Sequence, residues 1–200
     1  MAGALWVLAL ASLQEPGPEE AKVRRLVEAL GADFLQDREE ARRGLEKIGA
    51  AAVPLLMEAL DHPDFRVRKS SIEILAAIGD ERAVDRVGEV FRADEDPLVR
   101  DAAFSFLKAA GRPAARHLIA ALESGRAEHR REAAKTLAEL RCPEAAGAMI
   151  ARFENDPDKG VRDQAFEYLK AAGGPAEPHL IRLLGHADPA VRRGALAGLR

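Results

Sequence analysis

The segment DPLVRDAAFSFLKAAG (residues 96–111) returns as DKGVRDQAFEYLKAAG (residues 158–173), and part of it returns again as DPAVRRGALAGL (residues 188–199). The first two copies begin 62 residues apart, but the Arg at their fifth position recurs at about half that interval. The chain therefore carries an internal repeat of about thirty residues. The recurring residues are Arg38, Arg68, Arg100, Arg130, Arg162 and Arg192, in steps of 30, 32, 30, 32 and 30 residues.

Two further columns keep a fixed distance from this Arg. A small residue stands three positions after it, and a Leu stands seven positions after it in every copy. Together with apolar residues at −1, +6 and +10, these offsets fall on one face of an α-helix. The pattern predicts that the small residue lets a neighbouring helix approach and that the Leu is buried. The columns are Ala41, Ser71, Ala103, Ala133, Ala165 and Ala195, and Leu45, Leu75, Leu107, Leu137, Leu169 and Leu199.

Each repeat is predicted to be a helical hairpin. A shorter apolar segment, such as residues 52–60, precedes each of the later second helices. The pairs Asp96-Pro97 and Asp188-Pro189 are typical of an N-cap followed by the first helical residue. A hairpin of this size cannot bury its apolar faces alone, so we expect the hairpins to stack into a continuous core. The expected left-handed residues that end the second helices are Gly49, Gly79, Gly111 and Gly173.

The copies follow the pattern D-x-x-V-R-x-x-A-x-x-x-L-x-x-x-G, and with it the chain resembles HEAT-repeat proteins. The resemblance is closest to the short HEAT-like type of phycobilin lyases and deoxyhypusine hydroxylases. It covers about residues 21–200 and implies an all-α fold, a right-handed α-α superhelix (HEAT/armadillo-type solenoid) of about six two-helix repeats. The fourth repeat departs from the pattern, since Arg126, His129 and Arg141 stand at its Asp, Val and Gly positions. The expected units are about 21–49, 50–79, 80–111, 112–141, 142–173 and 174–200.

The sixth repeat stops at Arg200, before the final turn of its second helix. A terminal repeat needs a polar outer face. We therefore expect this chain to be a fragment of a longer array, or a partner to cover its end. The side chains expected to lack a further layer are Leu180, Ile181, Leu183, Leu196 and Leu199.

The amino-terminal residues 1–20 differ from the repeats and are predicted to be a signal peptide and polar spacer. Residues 4–13 form an apolar run of signal-peptide length, and Ala9-Leu10-Ala11 offers a small-x-small cleavage site. The mature protein would then begin near Ser12 and be exported, to the periplasm or the extracellular space. Because the start has no Lys or Arg, the alternative is a capping helix over the first repeat of a cytoplasmic protein.

The sequence predicts no catalytic residue, no metal ligand and no cofactor. His117 and His179 share one repeat position, but two layers of about 10 Å separate them, too far to share one ion. We therefore expect His117 and His179 to be partly exposed turn residues, and we expect the same of His62 and His186. The hydroxylase resemblance would require His-Glu pairs that bind iron, and this chain has none. No Gly-rich phosphate loop, Ser-His-Asp arrangement or Cys-His nucleophile site is identifiable, and Cys142 is the single cysteine.

Charge argues against a nucleic-acid partner, because 30 basic and 33 acidic residues give a net charge of −3. On the polar face of the second helices, positions +1, +5 and +8 carry both signs of charge. Such a stripe suits a protein or peptide partner that is recognised by its charge pattern, and the resemblance implies that second helices line the binding surface. The predicted partner-binding residues are Lys69, Glu73, Asp101, Ser105, Lys108, Arg131, Lys135, Asp163, Glu167 and Lys170.

The sequence therefore favours a non-catalytic scaffold for protein–protein interaction. The alternative is a lyase-type enzyme or enzyme subunit that acts with a tetrapyrrole or a second chain. That alternative needs an aromatic-lined cleft, and an aromatic content of 4% favours the scaffold. The resemblance implies that the Arg column and its neighbouring Asp residues bond to each other and to turn carbonyls of adjacent layers, and we predict that they are structural.

Overall fold

The computed structural model describes residues 17–172 and 177–199, so the predicted signal peptide and Gly173 lie outside the described residues. Within these ranges every regular element is helical, which confirms the all-α prediction. No helix there is long and apolar enough to cross a membrane. The chain divides into two compact units, unit 1 (Met1–Ile78) and unit 2 (Gly79–Arg200).

Unit 1 contains two hairpins. The first described helix begins at Pro18, three residues before the predicted start of the repeats. Helix α1 packs against α2, α3 packs against α4, and α2 packs against α4. The side chains of the small and Leu columns are fully buried in both second helices, as predicted. The helices are α1 (Pro18–Ala29), α2 (Leu35–Ile48), α3 (Val53–Glu58) and α4 (Phe65–Ile78).

Unit 2 contains four hairpins, in which each first helix packs against the second helix that follows it. Among the second helices, α8 packs closely against α10, but only loosely against α6. Leu107, Leu137 and Leu169 are fully buried, which confirms the register of the repeat. The helices are α5 (Val84–Ala93), α6 (Pro97–Ala110), α7 (Ala115–Ala121), α8 (Ala127–Glu139), α9 (Ala146–Asn155), α10 (Lys159–Ala172), α11 (Glu177–Leu183) and α12 (Pro189–Gly198).

The last hairpin differs from the expectation that its apolar side chains lack cover. Leu180 and Leu183 are buried, and a Cβ placed at Gly198 would lie 3.1 Å from Leu180 Cδ1. These leucines of α11 therefore contribute to the core, and the expectation was wrong for them. Ile181 and Leu196 are exposed, with relative accessibilities of 53% and 49%.

The recurring Arg fixes the turn of its own hairpin. Arg100 Nη1 donates to the backbone carbonyls of Asp94 and Glu95, at 2.5 and 3.0 Å. The prediction of carbonyl partners is confirmed, but they lie in the same hairpin and not in an adjacent layer. The reason is that helical side chains lean toward the amino terminus of their helix. The same bond, to the carbonyl six residues earlier, is made by Arg38, Arg68, Arg130, Arg162 and Arg192.

Arg130 additionally binds a carboxylate of the next hairpin. Its Nε and Nη2 donate to Asp156 Oδ2 and Oδ1, at 2.8 and 2.9 Å, and both side chains are buried. Burial alone would raise the pKa of Asp156, but the hydrogen bonds from Arg130 and the Asp158 backbone, with the charges of Arg130 and Arg152, lower it overall. The Asp four residues before the Arg has another role. Asp96 accepts from the Leu98 and Val99 backbone N–H groups and caps α6.

The residue after the second helix adopts a left-handed conformation. Gly49, Gly79 and Gly111 have φ of +67°, +72° and +66°, as predicted. The fourth hairpin places Arg141 at this position, with φ of +49°. A non-Gly residue is strained in this region because its Cβ crowds the backbone.

Arg141→Gly is expected to raise the free energy of unfolding by about 0.5–1 kcal/mol, since relief of strain exceeds the extra unfolded-chain entropy of Gly. Urea denaturation measures the change. Arg141→Ala keeps the Cβ and is the matched control, expected within about 0.5 kcal/mol of the original chain. A Gly variant no more stable than the Ala variant would contradict the assignment of strain.

Candidate interaction surface

The predicted partner-binding stripe divides between the two units. Lys69 and Glu73 lie on α4 of unit 1 and form an ion pair, with 2.5 Å between Nζ and Oε1. The remaining residues lie on α6, α8 and α10 of unit 2 and are called the unit-2 stripe. Its members are Asp101, Ser105, Lys108, Arg131, Lys135, Asp163, Glu167 and Lys170.

Two residues of the unit-2 stripe on α6 connect the third hairpin to the fourth. Asp101 forms an ion pair with Arg126 and accepts a hydrogen bond from His129 Nε2 at 2.8 Å. Lys108 lies 3.2 Å from a Glu132 carboxylate oxygen and 5.3 Å from the centroid of the underlying Phe104 ring. These two side chains are held in place by the neighbouring hairpin.

Arg131 is fixed by the turn of the fifth hairpin, just before α10. Its Nη2 lies 3.1 Å from both carboxylate oxygens of Asp158. Asp158 also accepts from the Val161 backbone N–H at 2.9 Å, and these two hydrogen bonds hold the pKa of its carboxyl below the usual value. Gly160 makes room for the contact, because a Cβ there would lie 2.5 Å from Arg131 Nε. A side chain at position 160 would therefore displace the Arg131 guanidinium from this contact.

The other side chains of the unit-2 stripe are exposed, and they form either no hydrogen bond or only surface ion pairs. Ser105 and Lys135 are exposed, and in the described part of the chain their side chains make no hydrogen bond or ion pair. On α10, Lys159 pairs with Asp163 at 2.6 Å and Lys170 pairs with Glu167 at 3.1 Å. Exposed pairs three or four residues apart contribute only about 0.3–0.5 kcal/mol, so a partner can replace them at little cost.

Sequence reasoning missed the role of His129, which occupies a Val position of the repeat. The ring is buried between Phe91 and Phe104, with centroid distances of 5.5 and 4.7 Å. Burial lowers the pKa of His129 and outweighs the opposing hydrogen bond with Asp101. The neutral ring can therefore donate from Nε2 to Asp101 and accept at Nδ1 from Ser124 Oγ, 3.3 Å away. The sequence signal that could have revealed this role was a His at a repeat position where Val is usual.

These contacts correct the statement that no Ser-His-Asp arrangement is identifiable. Ser124, His129 and Asp101 form a hydrogen-bonded row, although the sequence separates Asp101 from His129 by 28 residues. The phenylalanine rings enclose the imidazole, and Arg126 shares the Asp101 carboxylate. This arrangement connects two hairpins and supports a structural role for His129.

His117 is a second correction, because it is buried and not a partly exposed turn residue. Its Nε2 lies 3.0 Å from Asp85 Oδ1 in the preceding hairpin. The ring packs directly on α5, where a Cβ at Gly88 would lie 2.2 Å from His117 Nδ1. His179, at the same repeat position, is exposed.

The described part of the chain has no cluster typical of a metal site, and its cysteine is not an activated nucleophile. In residues 17–172 and 177–199, no three His, Cys, Asp or Glu side chains come together to hold a metal ion. Cys142 is buried, and burial together with its hydrogen bond to Glu144 raises the pKa of the thiol. A raised pKa disfavours the reactive thiolate.

Comparison with known proteins agrees with this architecture. The family model for HEAT repeats matches residues 23–108 and 115–200. No curated protein shows a significant sequence match. Among solved structures, a TOG domain of crescerin, which regulates microtubules in the primary cilium, has a TM-score of 0.56 at 16% identity, covering 88% of each chain.

Two further solved structures are similar to this chain. Escherichia coli YibA has a TM-score of 0.51 at 16% identity, covering 93% of this chain and 76% of that chain. The complex of CpcE and CpcF of phycocyanin lyase from Nostoc sp. PCC7120 has a TM-score of 0.43 at 23% identity, covering 90% and 99%. At these identities the similarity concerns the fold.

Proposed function

Because the chain belongs to the HEAT-repeat family, we propose that it is a non-catalytic scaffold that binds a protein or peptide partner along the unit-2 stripe. The observation that carries this proposal is the state of the stripe residues. Asp101, Lys108 and Arg131 are held by ion pairs with neighbouring hairpins. Ser105 and Lys135 are exposed, and their side chains make no hydrogen bond or ion pair in the described part of the chain. A surface that places fixed charges of both signs beside unpaired polar side chains suits recognition of a complementary charge pattern.

The charge of the surface argues for a protein over a nucleic acid. A surface that follows a phosphate backbone needs a basic excess. The unit-2 stripe instead places Asp163 and Glu167 on α10 beside Lys170, and the whole chain has a net charge of −3. Both signs therefore face the partner.

Site-specific photocrosslinking tests this proposal. A photoreactive amino acid replaces Ser105 in one variant and Lys135 in another, and each full chain is expressed in its native host. Glu89 is the control position, because it is exposed on the first helix α5. Adducts are identified by mass spectrometry after irradiation.

The same partner is expected to crosslink from Ser105 and from Lys135, and not from Glu89. These positions lie on adjacent second helices of unit 2, so one partner can reach both. Adducts that form from Glu89 while both stripe positions give none would overturn the proposal.

We also propose that the scaffold acts after export. The support is the apolar run at residues 4–13 with the small-x-small pattern at Ala9-Leu10-Ala11. Amino-terminal sequencing of protein from the native host is expected to find a mature start near Ser12. Retention of Met1 or Ala2 would favour the alternative of a capping helix and a cytoplasmic protein.

A further inference from the structure

A cavity of about 400 Å³ lies in unit 2 beside His129, lined by residues of α5, α6, α7, α8 and the turn between α7 and α8. It lies at the junction of the third and fourth hairpins, whose second helices α6 and α8 pack only loosely against each other. The fourth repeat departs from the pattern here, with Arg126 at the Asp position and His129 at the Val position. The volume suits a side chain or a small ligand group.

The cavity wall carries a surplus of positive charge. Arg92, Arg100 and Arg126 line it, and the single carboxylate in the lining is Glu123. Glu123 is already paired, because Arg152 Nη2 lies 3.3 Å from its Oε1.

Two of the three guanidinium groups have no carboxylate partner among the described residues. Arg126 is paired with Asp101, outside the wall. Arg100 uses Nη1 to bind two backbone carbonyls, which leaves its charge uncompensated. Arg92 is exposed at the end of α5, and among the described residues it forms no ion pair. Guanidinium groups in this state bind carboxylates with charge-assisted hydrogen bonds.

The remaining wall favours a side chain over a free ion. Phe91 and Ala120 supply apolar surface, and the Ser124 hydroxyl supplies a neutral polar group. Such a mixture of a few polar groups with apolar walls is typical of sites that fix the orientation of an organic ligand.

We propose that this cavity binds an acidic side chain of a peptide segment in the partner protein. This inference rests on the proposed function, because two residues of the cavity wall contact the unit-2 stripe. Arg126 and His129 line the cavity, and both contact Asp101 of the stripe. A peptide that follows the stripe on α6 and α8 therefore passes the cavity, where Arg92 and Arg100 receive its carboxylate and Phe91 receives an adjoining apolar group.

Binding of a defined peptide to the full chain tests the proposal. The probe is a fluorescein-labelled peptide of alternating Glu and Leu, and the matched probe has Gln in place of every Glu. Arg92→Gln removes the positive charge of the guanidinium that forms no ion pair among the described residues. Gly125→Trp adds bulk at a lining position without removing charge, and a Cβ placed there has no heavy atom within 4 Å. Arg112→Gln is the control, because Arg112 is exposed and lies outside both the cavity and the stripe.

The Glu peptide is expected to bind at least about tenfold more tightly than the Gln peptide, since charge-assisted hydrogen bonds are about twice as strong as neutral ones. Arg92→Gln and Gly125→Trp should each weaken the Glu peptide by about fivefold or more, while Arg112→Gln stays within about twofold. Equal binding of both peptides, or unchanged binding to both cavity variants, would overturn the inference. Displacement of the Glu peptide by millimolar inorganic phosphate would also overturn it, as it would indicate a general anion site.

The two proposals fail separately. If the cavity variants bind the Glu peptide normally while Ser105 and Lys135 still crosslink one partner, the stripe remains and the cavity assignment is wrong. If the peptide binds as expected but a partner crosslinks from Glu89 and from neither stripe position, the proposed function is wrong.

Discussion

Asp156→Ala is expected to lower the free energy of unfolding of unit 2 by about 3–5 kcal/mol, because it leaves the buried Arg130 without its carboxylate. Both guanidinium bonds to Asp156 are shorter than 3.0 Å, and the exposed fractions of Arg130 and Asp156 are 7% and 3%. Arg152 also loses a contact of 3.6 Å to this carboxylate. Removal of one partner of a buried pair costs far more than the pair itself contributes.

Urea denaturation of Asp156→Ala measures this loss, and Asp163→Ala is the matched control. Asp163 pairs with Lys159 at the surface of the same hairpin, so its removal should cost less than about 1 kcal/mol. Combining Asp156→Ala with Arg130→Met should recover at least about 1 kcal/mol relative to the sum of the two single variants. A cost of Asp156→Ala no larger than that of Asp163→Ala would contradict the structural role of the pair.

The same pair has a pH signature. The pKa of Asp156 is lower in the folded chain than its usual value of 3.8. Its stabilising contribution is therefore complete above about pH 4 and is lost as the pH falls through the folded pKa. The stability difference between the original chain and Asp156→Ala should accordingly narrow below about pH 4.

Leu107→Ala is expected to lower the free energy of unfolding by about 2–5 kcal/mol, because it opens a cavity in the core of unit 2. Leu107 is fully buried on α6, at the position that is Leu in every repeat. Leu137→Ala on α8 should cost a similar amount, since Leu137 occupies the same position and is equally buried.

Leu98→Ala supplies the matched control for these core variants. Leu98 lies on the same helix as Leu107 but is 51% exposed. The same chemical change there should therefore cost less than about 0.5 kcal/mol. Comparable losses from Leu98→Ala and Leu107→Ala would contradict the register of the repeat.

The fold could be predicted because the same residue types stand at the same packing positions in each repeat. A Leu at a fixed distance from the Arg is buried in the first five hairpins, as periodicity predicted, whereas Leu199 of the sixth is only half-buried. The left-handed turn followed in the same way from the chemistry of Gly, and the structure extends it to Arg141. These features depend on local sequence and on one repeated environment.

The contacts between hairpins could not be predicted from the column pattern. Arg and Asp residues were expected to bond to each other, but the columns did not indicate that Arg130, which has Arg126 at the Asp position of its repeat, binds Asp156 of the next hairpin. His117 and His129 were assigned by their position along the chain, yet each binds an Asp of the preceding hairpin. Such contacts depend on the offset between layers, which one repeat alone does not define.

Partner retention by a stripe variant tests the central claim, that the second helices of unit 2 bind a partner. The variant combines Ser105→Arg with Lys135→Glu, and both residues are exposed without side-chain partners in the described chain. The control combines Glu89→Lys with Asn155→Lys on first helices α5 and α9. Tagged full chains are recovered from the native host, and the retained proteins are quantified by mass spectrometry.

The free energy of unfolding of both variants should lie within about 0.5 kcal/mol of that of the original chain, because surface substitutions rarely change it by more. The partner that crosslinks from Ser105 and Lys135 is expected to fall at least about tenfold on the stripe variant, as reversed charge disrupts a complementary interface. It should remain at its original level on the control. Unchanged retention on the stripe variant, or equal loss on both variants, would contradict the account.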